Sequence, residues 1–241
     1  MPSLKKAVAT VHQDRVWWRK ILIGGALWLT AVGYPLVEGY QLESIENTQN
    51  GFPVPLPRWN DPGGKMLQGF FALMIDFFFF VFPILGGGLL LLCGALGLGL
   101  AGTAPGMLRW FGNGISVLVL VWWSCAWLCS VSPVGKRMLI SESQMGQALS
   151  GKVVRNVLDP DARSIYFAAR IRSLPLYLVP IALMIAVRQS VDWSGWLALV
   201  LLWLALAALL YARLVTLQLY AAAAREIQQR RFEAFRARTR A

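Results

Sequence analysis

Residues 66–102 read MLQGFFALMIDFFFFVFPILGGGLLLLCGALGLGLAG and contain a single charged residue, Asp76. An α-helix needs about 20 apolar residues to cross the hydrocarbon core of a bilayer. The block is therefore apolar enough for a membrane and too long for one crossing. Phe82-Pro83 and Gly86-Gly87-Gly88 supply breaking signals near its middle. The block predicts a tight hairpin of two membrane spans, over residues 66–82 and 84–103.

The composition of the whole chain agrees with a membrane protein. Of 241 residues, 57% are hydrophobic and only 15% are charged, whereas about a quarter of the residues of a soluble domain are charged. Further apolar stretches predict spans over residues 21–40, 114–133, 174–187 and 193–220. The expected fold is all-α: a polytopic transmembrane helical bundle of about six spans in one transmembrane domain, residues 21–220.

The positive charges predict the topology of the bundle. The chain has a net charge of +11, and its Lys and Arg residues gather in residues 1–20, 134–172 and 221–241. Because cytoplasmic segments carry the excess of Lys and Arg, both termini are expected in the cytoplasm, and the acidic loop with Glu43, Glu46 and Asp61 outside. This arrangement requires an even number of spans and favours the cell inner membrane. No nucleic-acid partner is expected, because no groove-reading or base-stacking element accompanies the charge.

Two polar segments predict helices outside the spans. In the cytoplasmic segment 134–172, Met145, Leu149, Val153 and Val157 recur every four residues. This period indicates an amphipathic helix on the membrane interface, with a partner helix as the alternative support. The basic tail is expected to be helical, and its arginines to contact anionic lipid headgroups at the cytoplasmic face: Arg230, Arg231, Arg236 and Arg238. Residues 41–65 are rich in Pro and Gly and predict an irregular loop.

Several short motifs in the first half of the chain resemble a known family. The first span contains Gly24-Gly25 and ends at Gly39-Tyr40; the following loop reads Leu56-Pro57-Arg58-Trp59-Asn60-Asp61, and Gly69 opens the next span. This order resembles the bacterial and archaeal membrane family called domain of unknown function 4013. The resemblance covers residues from about 15 to 228. It implies a polytopic membrane protein of uncharacterised function and adds no chemistry.

Asp76 is the candidate for chemistry within the spans, because an ionised carboxylate in a membrane helix costs about 2.5–3.5 kcal/mol on insertion scales. It could form a proton or cation site, or pair with a cation such as Arg213 or Arg188. The alternative is a protonated or paired carboxylate that only fixes helix packing. Glu38 lies at the outer end of the predicted first span, where we expect water to reach it.

The remaining motifs indicate packing. Gly97-Leu98-Gly99-Leu100-Ala101-Gly102 matches a dinucleotide-binding expression, but it lies inside a predicted span and lacks the strand that such a site requires. These glycines are expected to let another helix approach closely: Gly94, Gly97, Gly99 and Gly102. Cys93, Cys125 and Cys129 are expected to be small buried packing residues. With His12 as the only histidine, no metal, cofactor or enzymatic activity is predicted.

The expected function is that of a non-enzymatic accessory or scaffold subunit of a membrane complex. Short loops and helix-packing glycines motivate this expectation, and they predict a membrane-protein partner or a homo-oligomer. The alternative is a small transporter or lipid-handling permease that uses Asp76, because helices broken by Pro and Gly often line substrate paths.

Overall fold

The computed structural model describes residues 3–30, 32–100, 105–128, 130–142 and 145–240, and within them it is helical without strands. In chain order the elements are α1 (Leu4–His12), α2 (Trp17–Trp28), α3 (Gly33–Gln49), α4 (Pro62–Asp76), a π-helical turn (Phe77–Val81), α5 (Phe82–Leu100), α6 (Pro105–Leu128), α7 (Val131–Glu142), α8 (Met145–Ala148), α9 (Gly151–Leu158), α10 (Pro160–Ser173), a 3-10 turn (Leu174–Tyr177), α11 (Leu178–Ser190) and α12 (Gly195–Arg240).

The block that predicted a hairpin is instead one continuous helical rod. From α4 through the π-helical turn into α5 the helix does not reverse at Phe82-Pro83 or at Gly86–Gly88, so the predicted turn is wrong. Pro83 has no N–H to donate to the carbonyl of Phe79, four residues earlier. The indole of Trp122 donates to that carbonyl instead, at 3.1 Å. The helix therefore passes the proline because α6 satisfies the group that the proline leaves free.

Four helices, rather than six, are long and apolar enough to cross a membrane among the residues that the structure describes. They cover Pro62–Gly97, Arg109–Trp127, Pro160–Ser190 and Gly195–Ala237. They form two hairpins: α5 packs against α6, and α11 packs against α12. We call them hairpin A and hairpin B. Over the described residues the two hairpins hardly contact each other.

The predicted first span, residues 21–40, is not a continuous helix. It contains most of α2 and the beginning of α3, separated near residue 30. With 12 residues α2 is about 18 Å long, too short to span the hydrocarbon core. Helix α3 is a polar helix that lies inside the protein, and Gln41 and Ser44 are both buried. This helix extends to Gln49, so the irregular loop is shorter than predicted and covers residues 50–61.

The remaining helices pack together with the inner ends of both hairpins, and we call this part of the molecule the basal bundle. It consists of α1–α3, α4, α7–α10 and the C-terminal half of α12, and its core includes Val11, Tyr40, Leu214 and Tyr220. Helices α3 and α12 run side by side there: Gln218 donates to the hydroxyl of Ser44 at 3.2 Å. The acidic loop therefore lies at the same end of the molecule as the basic tail, and its predicted position opposite the tail is wrong.

The amphipathic segment rests on the protein itself. Ser150 caps α9 and Asp159 caps α10, so the predicted single helix is divided into short pieces. Val153 and Val157 lie in the core of the basal bundle. The predicted contact of this apolar face with lipid is therefore wrong. At the other end of the chain, α12 continues through residue 221 to Arg240 without a break.

Candidate functional site

Four charged side chains from four helices meet in a buried cluster: Glu38 of α3, Asp76 of α4, Lys136 of α7 and Arg213 of α12. The ammonium of Lys136 lies 2.9 Å from Oε2 of Glu38 and 2.6 Å from Oδ2 of Asp76. Arg213 binds the same Glu38 with both terminal nitrogens, Nη1 at 2.6 Å from Oε1 and Nη2 at 3.0 Å from Oε2. We call this set the charge cluster. It joins the roots of hairpins A and B.

The charge cluster is neutral as a whole, because two carboxylates face two cations. Its centre is dry: the side chains of Glu38 and Lys136 are 1% and 4% exposed. Asp76 and Arg213 form its partly open ends, at 25% and 23%. Taking charges out of water costs several kcal/mol per ion, and close pairing must offset that cost. The cluster is therefore a set of mutually dependent charges, each of which needs the others.

Asp76, the residue singled out from the sequence, is fully engaged. One carboxylate oxygen accepts from the hydroxyl of Ser132, and the other binds Lys136. Arg213, predicted as a possible partner of Asp76, forms its ion pair with Glu38 instead. Arg188 is exposed on α11, near the far end of hairpin B. Both oxygens of Asp76 thus have donors in this conformation.

Glu38 and Lys136 are the members of the charge cluster that the sequence did not identify as site residues. Glu38 was expected to be accessible to water, yet it is the most buried member of the cluster. Lys136 was assigned to a cytoplasmic segment without a role. The sequence does show that Ser132 and Lys136 are one helical turn apart and therefore lie on one face of a helix. No pattern in the sequence indicates that this face contacts Asp76. Burial by itself would lower the pKa of Lys136, and the nearby carboxylates of Glu38 and Asp76 raise it above the ordinary value.

The family-motif residues form a second structure beside the cluster. Tyr40 of α3 stacks on Trp59 of the loop, with ring centroids 4.1 Å apart. The indole of Trp59 donates to the carbonyl of Lys20 at 3.0 Å, and the ammonium of Lys20 donates to the carbonyl of Leu56 at 2.8 Å. Leu56 and Pro57 are buried. These contacts fasten the loop to α2 and α3.

The glycines of the motif permit close helix approach. A Cβ on Gly39 would overlap the backbone of Lys65, and one on Gly69 would overlap the carbonyl of Pro35, so α3 and α4 touch through their backbones. Gly24 faces Leu210 and Trp59, and Gly25 faces Ala207, which brings α2 against α12. Asp61 has a positive φ of 49° and caps α4 by accepting from the N–H of Gly64.

The remaining predicted residues that the structure describes lie on hairpin A and in the tail. Gly94 lies against the ring of Phe111 on α6, whereas nothing lies within 4 Å of a Cβ built on Gly97. Gly102 falls outside the described residues, as do the surroundings of Gly99 and the side chain of Arg238. Cys129 is also outside them, and Cys93 and Cys125 are exposed rather than buried.

The tail arginines that the structure describes have local partners. Arg230 pairs with Glu226 at 2.7 Å, Arg231 pairs with Asp159 of the loop between α9 and α10, and Arg236 lies over the ring of Phe232. Their predicted binding to lipid headgroups stays a prediction.

Within the described residues no group of three or more His, Cys, Asp or Glu side chains is arranged to hold a metal ion. The chemistry that the charge cluster offers is electrostatic. It holds four helices together through ion pairs that water reaches only at the ends.

Comparison with known proteins gives one finding. A family model described as "Protein of unknown function (DUF4013)" matches residues 22–188, which is more than half of the chain. Searches among curated proteins and among solved structures found no match. The matched range includes the motif residues, Glu38, Asp76 and Lys136, and it ends before α12. The chain is a helical membrane protein that belongs to the DUF4013 family of proteins of unknown function.

Proposed function

We propose that this protein is a non-enzymatic accessory or scaffold subunit whose two apolar hairpins dock against another membrane protein. The observation that supports the proposal is that only a small fraction of the residues in each candidate span is buried against the rest of the protein. Only 11% and 6% of the residues are buried in the most apolar stretches of the two spans of hairpin A. The corresponding values for the two spans of hairpin B are 17% and 33%. A self-sufficient transporter core would bury much more of its spans among its own helices. Hairpins that hardly contact each other leave both flanks open to partner helices.

Four crossings fit the dimensions of a bilayer. Trp110 lies near the far end of hairpin A and Trp193 and Trp196 at that of hairpin B, and all three are at least 80% exposed. Tryptophan is enriched at membrane interfaces. From Trp196 to Arg213 the helix α12 rises about 26 Å, close to the roughly 30 Å of a hydrocarbon core. The charge cluster then lies at the opposite interface, where the basal bundle begins.

The same placement supports the cytoplasmic membrane with both termini in the cytoplasm. The basal bundle carries most of the Lys and Arg residues, whereas the described far ends of the hairpins carry only Arg109 and Arg188. The positive-inside rule then places the basal bundle in the cytoplasm. Loop 50–61 belongs to that side as well. An even number of crossings, four, keeps the orientation of the termini that six spans had predicted.

One face of α5 offers a surface for a partner helix. Gly86 and Gly97 are three helical turns apart on the same side, and nothing lies within 4 Å of a Cβ built on either. The exposed Cys93 falls between them on that side. Small residues let helix backbones approach closely, which is what holds helices together in lipid. This face is the predicted contact with the partner or with a second copy of the chain.

The proposal of a non-enzymatic role is supported by the chemistry of the charge cluster. Its carboxylates are neutralised by cations, and the hydroxyl of Ser132 donates to Asp76, which is itself bound by Lys136. The alternative, a small transporter or lipid-handling permease, rests on the partly exposed Asp76 beside a π-helical turn. It is less supported, because Lys136 and Ser132 already occupy both oxygens of Asp76.

The test is purification of the tagged protein from native nanodiscs, with mass spectrometry of what travels with it and crosslinking from Cys93. We expect a membrane protein in stoichiometric amount, crosslinked through Cys93. Gly97→Leu should abolish its capture. Gly88→Leu is the matched control, because Gly88 is equally open but lies on the opposite side of α5. A lone monomer would overturn the accessory role, and a lone protein that carries a small molecule would favour transport.

A further inference from the structure

A cavity in the basal bundle lies beside the family-motif loop and has no part in the charge cluster. Its volume is about 650 Å³, and it opens between the turn that follows α1, helix α3 and loop 50–61. Its lining combines charged and amide groups with apolar side chains, among them Lys20, Glu43, Arg58 and Asn60. A cavity of this size and mixed character can hold the headgroup of an amphiphile.

The charges around the cavity leave one cation unpaired. Lys20 is neutralised by Asp14 at 2.6 Å, and Glu43 is neutralised by Lys65 at 2.6 Å. Arg58 is exposed and has no ion-pair partner within the part of the chain that the structure describes. A guanidinium binds phosphate with parallel N–H donors. The amide of Asn60 lines the same cavity and adds a hydrogen-bonding group.

The apolar part of the lining is exposed, which is unusual for a loop in water. Val16, Phe52 and Val54 line the cavity with 43%, 56% and 44% of their surface exposed. These side chains come from two separate segments and line the cavity together with the charged groups. A soluble phosphate compound would leave these apolar side chains exposed, whereas the glycerol and acyl chains of a lipid would cover them.

The geometry points to a binding site for the phosphate of a membrane phospholipid, with Arg58 on the phosphate and Phe52 and Val54 against the acyl chains. This inference depends on the proposed placement of the protein in a membrane, because the membrane supplies the lipid. Lys20 and Trp59, which fasten the loop to α2, lie beside Leu22 and Gly24. Those residues contact α12 at Trp203 and Leu210, on the membrane side of Arg213. The cavity therefore lies close to the part of α12 that we place in the membrane.

The test is native mass spectrometry and thermal-shift titration of the detergent-solubilised full chain. The probes are phosphatidylglycerol, diacylglycerol with the same chains, and soluble glycerol phosphate. We expect phosphatidylglycerol to bind at least about tenfold more tightly than either other probe, since a charge-assisted hydrogen bond supplies such a factor. Arg58→Gln should remove most of that preference. Arg163→Gln is the matched control, an exposed arginine on α10 far along the chain from the cavity.

Three outcomes would overturn the site: equal binding of phosphatidylglycerol and diacylglycerol, an unchanged affinity in Arg58→Gln, or equal losses in Arg58→Gln and Arg163→Gln. Tight binding of glycerol phosphate without the lipid would identify a soluble anion instead and also reject the proposal. Phe52→Ser should weaken lipid binding and leave glycerol phosphate unaffected. Titration in detergent does not depend on the membrane topology, and labelling of Cys93 from each side of the membrane tests that topology separately.

Discussion

Replacing Lys136 by Met is expected to destabilise the protein more than any surface substitution. The change removes the cation that lies 2.9 Å from Glu38 and 2.6 Å from Asp76. Arg213 can still neutralise Glu38, but Asp76 loses the one ion pair that it forms within the described residues. Breaking a buried pair in this way costs about 3–5 kcal/mol. For a chain of this length that corresponds to a fall in Tm on the order of 10 °C.

The assay is thermal unfolding of the detergent-solubilised protein, followed by size-exclusion chromatography after heating. Lys6→Met is the matched control, because Lys6 is exposed on α1. The double variant Lys136→Met with Asp76→Asn restores neutrality and should recover part of the loss, with a coupling energy of about 1–3 kcal/mol. Equal Tm values for Lys136→Met and Lys6→Met, or strictly additive losses in the double variant, would refute the reasoning.

Three further predictions concern the cluster and the motif. The stability that Lys136 contributes should be complete below its ordinary pKa of 10.5 and be lost as the pH rises through its higher folded-state pKa; a Tm profile to alkaline pH should show this loss in the wild type and not in Lys136→Met. Gly39→Ala should separate α3 from α4 and cost about 1–3 kcal/mol. Gly63→Ala should leave the Tm nearly unchanged, because a Cβ there meets only the Asp61 side chain, at 3.9 Å; similar Tm values for the two variants would contradict the backbone contact. Trp59→Phe keeps the ring on Tyr40 but loses the bond to Lys20, so it should cost about 1 kcal/mol in the same assay, against no loss for the exposed Trp18→Phe.

The turn predicted at Pro83 does not form, because a residue distant in the sequence compensates for the local breaking signal. Pro83 and the three successive glycines 86–88 are breaking signals in water. The helix nevertheless continues past Pro83, where the indole of Trp122, 43 residues away, donates a hydrogen bond to the carbonyl of Phe79. A chain pattern does not show such a partner, because the bond exists only once α6 has folded back along α5. The two predicted spans consequently became one.

The charge cluster was partly visible from the chain. Asp76 stood out because a carboxylate among phenylalanines is costly in lipid, and Arg213 was named among its possible partners. Glu38 and Lys136 did not stand out, because Glu38 lies at the end of a predicted span and Lys136 in a polar stretch, and water is expected at both positions. Their burial results from α3 passing into the interior between α4 and α12.

By itself the sequence determined that this protein is a helical membrane protein, where most of its apolar surface lies along the chain, and which family motif it carries. These follow from composition and from the length of apolar runs, which depend on neighbours in the chain. Only the tertiary structure decided that the helices form two separate hairpins on one basal bundle, and that Lys136 neutralises Asp76 while Arg213 neutralises Glu38. Those pairings join residues that are 60 and 175 positions apart, and their side chains meet only after the helices have packed.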